Sequence, residues 1–384
     1  MPENHRRPIS LLILFVMVLV TGCSPKNPAP PPPEMFYAPS SYIVGTNPTG
    51  IAVADVNLDG NLDILTPNFG SNDISVLPGR GDATFQDQKR IPVAVQPKSI
   101  VVGRFDGDPY PDLAVIHHSD PVLMILAGEG NGNFHITQRA ELHKTPTALV
   151  MGDFNNDRRL DLAVALMLDR VLIFSGDGRG RFTLSHEFDP GDTPTSLAPI
   201  DLNHDGHPDL LIADNGQVAP GIAVYLGRGD GSFVQSRFYK TRLRPLIVSP
   251  GDFNDDGIAD LVVIYSSQST LALFLGRGDG TFQDGINFGA EGGPTSVLRD
   301  DFNRDGKQDL LITNNLTNKF SIAFGRGDGT FVYPPVTYRT GEGPFAAVEG
   351  RFNKESSNGL AVANNVGNTV SIFIAKEHQS TDKP

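Results

Sequence analysis

Carboxylates spaced two residues apart around a glycine are the first chemistry the sequence offers. Asp301-Phe302-Asn303-Arg304-Asp305-Gly306-Lys307-Gln308-Asp309 puts side-chain oxygens at positions 1, 3, 5 and 9 of one short segment. In a tight loop, oxygens at alternate positions point to one side. Gly at position 6 permits the sharp turn, and the carbonyl at position 7 faces inward. Hard oxygen donors on a flexible loop suit Ca2+ better than Mg2+, which demands near-octahedral geometry. The set recurs as Asp55, Asn57, Asp59 and Asp63, as Asp201, Asn203, Asp205 and Asp209, and as Asp252, Asn254, Asp256 and Asp260. Asp153, Asn155, Asp157 and Asp161 form a further copy, with Arg158 in place of Gly, so weaker binding is expected there. No Glu stands at position 12 and a β-rich run begins at position 10, which separates these loops from EF-hands. Four to five structural Ca2+ sites are therefore expected.

Two related loops lack a full donor set. Arg104 takes position 1 beside Asp106, Asp108 and Asp112, with Pro109 in place of Gly. Arg351 takes it beside Asn353 and Glu355, with Gly359 in place of the closing Asp. Both loops are expected to lack metal, with the guanidinium a candidate built-in cation for the remaining carboxylates.

The elements that position these loops repeat with them. The seven acidic segments are spaced by 49, 49, 48, 51, 49 and 50 residues, and a Gly-Arg-Gly-Asp-Gly-Thr-Phe-like turn follows in phase. One unit reads as four short strands: Thr295 to Arg299, Asp309 to Thr313, Lys319 to Phe324, and Phe331 to Tyr338. Seven such units predict an all-β, seven-bladed β-propeller of four-stranded blades. The seventh unit stops after its third strand, Thr369 to Ala375, whereas Phe36 to Val44 precedes the first unit. The N-terminal strand is expected to complete the last blade and close the ring, removing the open edges.

Acidic loops joined to blades of this length resemble the FG-GAP/VCBS repeat family, which includes the propeller of integrin α chains and several calcium-containing lectin propellers. The resemblance covers residues 36 to 375 and implies structural Ca2+ at the twenty side chains of the five loops above. It does not carry one function, because propellers host adhesion, lectin and enzyme activities alike.

The chain of 384 residues carries a net charge of −13, which argues against a nucleic-acid partner. Most of that charge is accounted for by the loops, and five Ca2+ would offset much of it. Its single Cys excludes an internal disulfide framework. Cys23 ends a segment in which His5, Arg6 and Arg7 precede an apolar run, Ile9 to Val20, followed by Val20-Thr21-Gly22-Cys23. This reads as a bacterial lipoprotein signal over residues 1–22, with Cys23 lipidated. Residues 23–35 would then be a Pro-rich tether, 36–375 the propeller and 376–384 a tail. Ser24 after the Cys favours the outer membrane over the inner one. A lipid-anchored envelope location, periplasmic or surface-facing, is the expectation.

Other signals are weaker. Arg-Gly-Asp at Arg80, Arg228, Arg277 and Arg326 reads as a fold-serving turn rather than an adhesion ligand. His117, His118 and Asp120 are a possible transition-metal set. No Ser–His–Asp elbow, phosphate loop or His-Glu-x-x-His helix is present. The leading reading is a calcium-stabilised, non-catalytic binding or scaffold module for a protein or glycan. The alternative is a lyase or hydrolase acting on a polysaccharide in the propeller funnel. The loops opposite the acidic ones differ in every repeat, and His143, Lys144, Arg242 and Arg244 are the candidate contacts there for an acidic group.

Overall fold

The computed structural model describes residues 35–168, 170–265, 269–354 and 359–376. The expected signal segment, Cys23, all but the last residue of the tether and all but the first residue of the tail lie outside them.

Seven four-stranded antiparallel sheets make seven blades. Blade 4 shows the plan, with strands Pro194–Ile200, Asp209–Asp214, Gly221–Gly227 and Phe233–Lys240. Its second and third strands are almost wholly buried and its fourth is largely exposed. Val, Ile, Leu and Ala run through the buried pair because both sheet faces pack on neighbouring blades. The core therefore lies between blades. One cluster joins Leu211, Ala213 and Val224 of blade 4 to Val248, Leu261 and Val263 of blade 5.

The ring closes as expected. Ser40–Ile43 pairs antiparallel with Thr369–Ile374, Ser40 opposite Ile372 and Ile43 opposite Thr369. Phe36 bridges Ala375 and sits edge-on to Phe320, Tyr338 and Phe373. The last blade thus draws three strands from one end of the propeller sequence and one from the other.

The fourth strand departs from expectation in three blades. In blades 2, 3 and 4 it begins at the turn Phe, at Phe134, Phe182 and Phe233. In blades 1, 5 and 6 that Phe makes only an isolated bridge, and the strand proper starts later, at Lys89, Ile286 and Val336. In blade 6, Pro334 and Pro335 intervene, and neither has an N–H to give a ladder.

Candidate functional site

The first-to-second-strand loops and the third-to-fourth-strand turns share one face, here called the acidic face. In all five complete loops the same hydrogen bonds recur. In the fourth, Asp201 accepts the N–H groups of Asp205 and Gly206, Asn203 accepts that of Asp205, and Asp205 accepts that of His207. The loops at Asp55, Asp153, Asp252 and Asp301 repeat this pattern. Each loop turns through two left-handed residues, at positions 4 and 6, on either side of the position-5 Asp. Position 6 is Gly at φ 84° in the fourth loop, but Arg158 holds φ 66° in the third.

The closing Asp does a second job. Asp209 Oδ2 accepts the Leu202 N–H at 2.8 Å and Oδ1 accepts the Gly227 N–H at 2.8 Å, tying the loop to the third strand. Asp63, Asp161, Asp260 and Asp309 do likewise, and so does Asp112 in the incomplete second loop. All six are buried. Burial pushes Asp63 and Asp309 up to about 6, with backbone N–H groups opposing and neighbouring loop carboxylates adding to the rise. A divalent cation among these oxygens would favour the charged form.

The donor chemistry fits a hard cation. Each of the twenty residues contributes carboxylate or amide oxygens, and the hydrogen bonds they accept leave further lone pairs. Among the described residues no three His, Cys, Asp or Glu side chains converge as a ready ligand set. Each proposed set draws also on an Asn oxygen and a main-chain carbonyl.

Arg104 departs from expectation: it is exposed and makes no ion pair with Asp106, Asp108 or Asp112. Without a position-1 acceptor the loop keeps the local bonds of Asp106 and Asp108 and the closing bonds of Asp112. Glu355, the expected partner of Arg351, lies outside the described residues.

The Gly-rich turns stitch blade to blade. Gly231 of blade 4 donates its N–H to Phe154 O of blade 3 at 2.9 Å, and the Phe154 ring meets Phe233 edge-on. Gly132, Gly180 and Gly329 reach the preceding blade in the same way, and Ala83 of blade 1 reaches Phe352 of blade 7. The Arg-Gly-Asp residues serve their own turns. Arg80, Arg277 and Arg326 donate to the carbonyls of Phe85, Phe282 and Phe331, and Asp82, Asp279 and Asp328 accept from the following Thr.

On the opposite face, the four candidate contacts are divided between two loops. Arg242 is exposed and lines a groove of about 510 Å³ between blades 4 and 5, with Lys240, Tyr239 and Tyr265. Arg244 turns onto the Asn215 carbonyl through two nitrogens, at 3.0 and 2.8 Å. Lys144 donates to Leu168 O at 3.2 Å, and His143 is exposed. The residues His117, His118 and Asp120 do not form one ligand set. His117 is buried with Nδ1 3.4 Å from Val122 O, His118 packs edge-on to Phe69, and Asp120 pairs with Arg139 at 2.9 Å.

A feature not anticipated from the sequence lies at the centre of that face. A channel of about 650 Å³ has in its lining one equivalent residue from each blade: Thr49, Lys98, Thr147, Thr195, Leu246, Thr295 and Phe345. Each follows a proline, and in six blades it is the extra residue of a β-bulge. A bulge takes a residue out of the ladder and re-aims its side chain. The seven in-phase Pro-X pairs are the signal that would have revealed this ring.

Five segments, 55–115, 104–164, 168–212, 201–263 and 252–312, match the FG-GAP-like repeat. The chain belongs to the FG-GAP-like repeat family. A search of curated proteins finds no match. Among solved structures, the chain is similar to BBS1N, crystallised in complex with ARL6DN, at 11% identity and a TM-score of 0.65, covering 91% of this chain and 99% of that one. It is also similar to an Agrocybe aegerita lectin that recognises non-reducing terminal N-acetylglucosamine, at 17% identity and a TM-score of 0.52, covering 77% and 81%. A Lactobacillus plantarum protein gives 16% identity and a TM-score of 0.60, covering 79% and 88%. At these identities the likeness is one of fold.

Proposed function

We propose that this FG-GAP-like propeller is a non-catalytic binding module of the bacterial cell envelope, lipid-tethered at Cys23 and braced by Ca2+. Its partner is a protein or a glycan, taken up on the face opposite the calcium loops. The observation that carries this reading is the contrast between faces. The acidic face repeats one hydrogen-bond scheme five times, whereas the opposite loops differ in every repeat. Repeat proteins gain specificity where their repeats diverge. Solved neighbours of the fold bind a protein in one case and a sugar in another, which supports a binding role. The channel lining carries one Lys and no carboxylate, whereas two-carboxylate hydrolysis needs an Asp or Glu pair.

In this reading Asp55, Asn57, Asp59 and Asp63, and their equivalents in the other four loops, hold the ions, which supply charge neutralisation and loop rigidity. A glycan array and an envelope-protein pull-down on the purified chain test the role. Arg242→Ala is expected to weaken capture and Arg277→Gln to leave it unchanged. The reverse result would move the interface to the acidic face, and turnover of a polysaccharide would replace binding with catalysis.

A further inference from the structure

The central channel holds a charge that the fold does not answer. Lys98 occupies the bulge of blade 2 and is half-buried in the channel wall. Among the described residues it has no ion-pair partner, and none of the channel-lining residues is Asp or Glu. Burial alone pulls its ammonium below the usual lysine range, with no carboxylate to oppose it. An uncompensated charge in such a place costs stability unless something pairs with it.

The surroundings are built rather than incidental. The Thr49 hydroxyl donates to the Lys98 carbonyl at 2.9 Å, which fixes the backbone that carries the ammonium. His118 lines the same channel; its Nδ1 is occluded and has no hydrogen-bond partner, which leaves Nε2 as the ring nitrogen for a ligand. Burial and the nearby Lys98 hold that imidazole below its ordinary range, so it stays neutral and can present one N–H. Phe69, Leu149, Met167, Leu197, Ile247 and Phe345 give the wall its apolar character. A cavity of this volume, with apolar side chains interspersed with Thr and Ser hydroxyls and a single cationic side chain, has the composition of a small-molecule site.

We propose that the channel is a binding site for a small apolar carboxylic acid, its carboxylate paired with Lys98 and hydrogen-bonded by His118, its hydrocarbon body against the apolar wall. Lys98 would supply the opposite charge and His118 a neutral N–H donor, while the apolar side chains of the lining would take the hydrocarbon and its Thr and Ser hydroxyls would leave room for polar substituents. This site goes beyond the macromolecular surface described above and does not depend on it.

Calorimetric titration of the full chain in calcium tests the proposal, with octanoate and 4-phenylbutyrate each set against its primary amide. At least one acid is expected to bind roughly tenfold more tightly than its amide, the scale of one charge-assisted pair. Lys98→Met is expected to abolish that preference, Lys98→Arg to retain much of it, and Arg242→Ala to leave it intact. Lys98→Met is expected to melt no lower than the parent, which separates loss of the preference from loss of the ring. Equal affinity for acid and amide, no binding of either acid, or a preference that survives Lys98→Met would each overturn the proposal.

Discussion

Arg158 stands where four sister loops have Gly, and it holds a left-handed backbone that costs a side-chain-bearing residue roughly 1–2 kcal/mol. Part of that cost is offset because Gly loses more freedom on folding. Arg158→Gly is therefore expected to stabilise the chain by about 0.5–1 kcal/mol in urea denaturation and to tighten Ca2+ at the third loop. The two kinds of loop Asp should separate in the same assay. Asp209→Asn sets an amide NH2 against a backbone N–H in a buried site, at a cost of about 1–3 kcal/mol with or without calcium. Asp205→Asn, at an exposed position, is expected to lose stability only when calcium is present. The metal-type spacing was legible because alternate carboxylates with an in-phase Gly have few other uses. The hydrogen-bonding duty of the closing Asp was not, because it depends on where the third strand ends. The loop at Arg104 illustrates this: it has no position-1 Asp, yet Asp112 ties Phe105 to Gly128.

Strands and turns divide the work of the blade. Buried second and third strands were readable from their apolar runs. The fourth was not, since its start depends on whether residues after the turn Phe can give N–H groups to the ladder. The bulge in six of the first strands was equally hidden, and with it the channel ring. Within the second strand of blade 2, Asp112–His117, burial pulls His117 down to about 4. Asp120 and Arg139 are the charged groups acting on it, with opposite effects. The folded state thus holds His117 neutral while the unfolded chain protonates near 6.5. Its contribution is complete above that value and is lost as pH falls towards 4. By pH 5 the loss is about 2 kcal/mol. Urea denaturation at pH 7.5 and pH 5 is expected to show a larger acid loss for the parent than for His117→Gln, by about that amount. Equal losses in the two proteins would remove His117 as the cause.

At the scale of the molecule, closure of the ring ties the ends of a chain whose single Cys cannot form an internal disulfide, and the proposed calcium would add to that bracing. Seven units need a seam, and Phe36 with Ser40–Ile43 supplies it across the full length of the propeller sequence. Phe36→Ala removes a buried ring from three aromatic neighbours and is expected to cost about 3 kcal/mol. Hydrogen exchange is expected to show the loss first in Thr369–Ile374, the strand that loses its partner. The seven-fold architecture was legible because repeat phase survives local decay of any one loop. The central claim is that five in-phase loops hold Ca2+ and brace the ring. A ligand that binds only the folded state, at ten times its Kd, adds about 1.4 kcal/mol per site. Scanning calorimetry of the chain in calcium and after EDTA tests this most directly, with metal analysis to confirm depletion. The account predicts a large fall in melting temperature on chelation, restored by Ca2+ and not by Mg2+; superimposable melting curves in the depleted and loaded chain would contradict it.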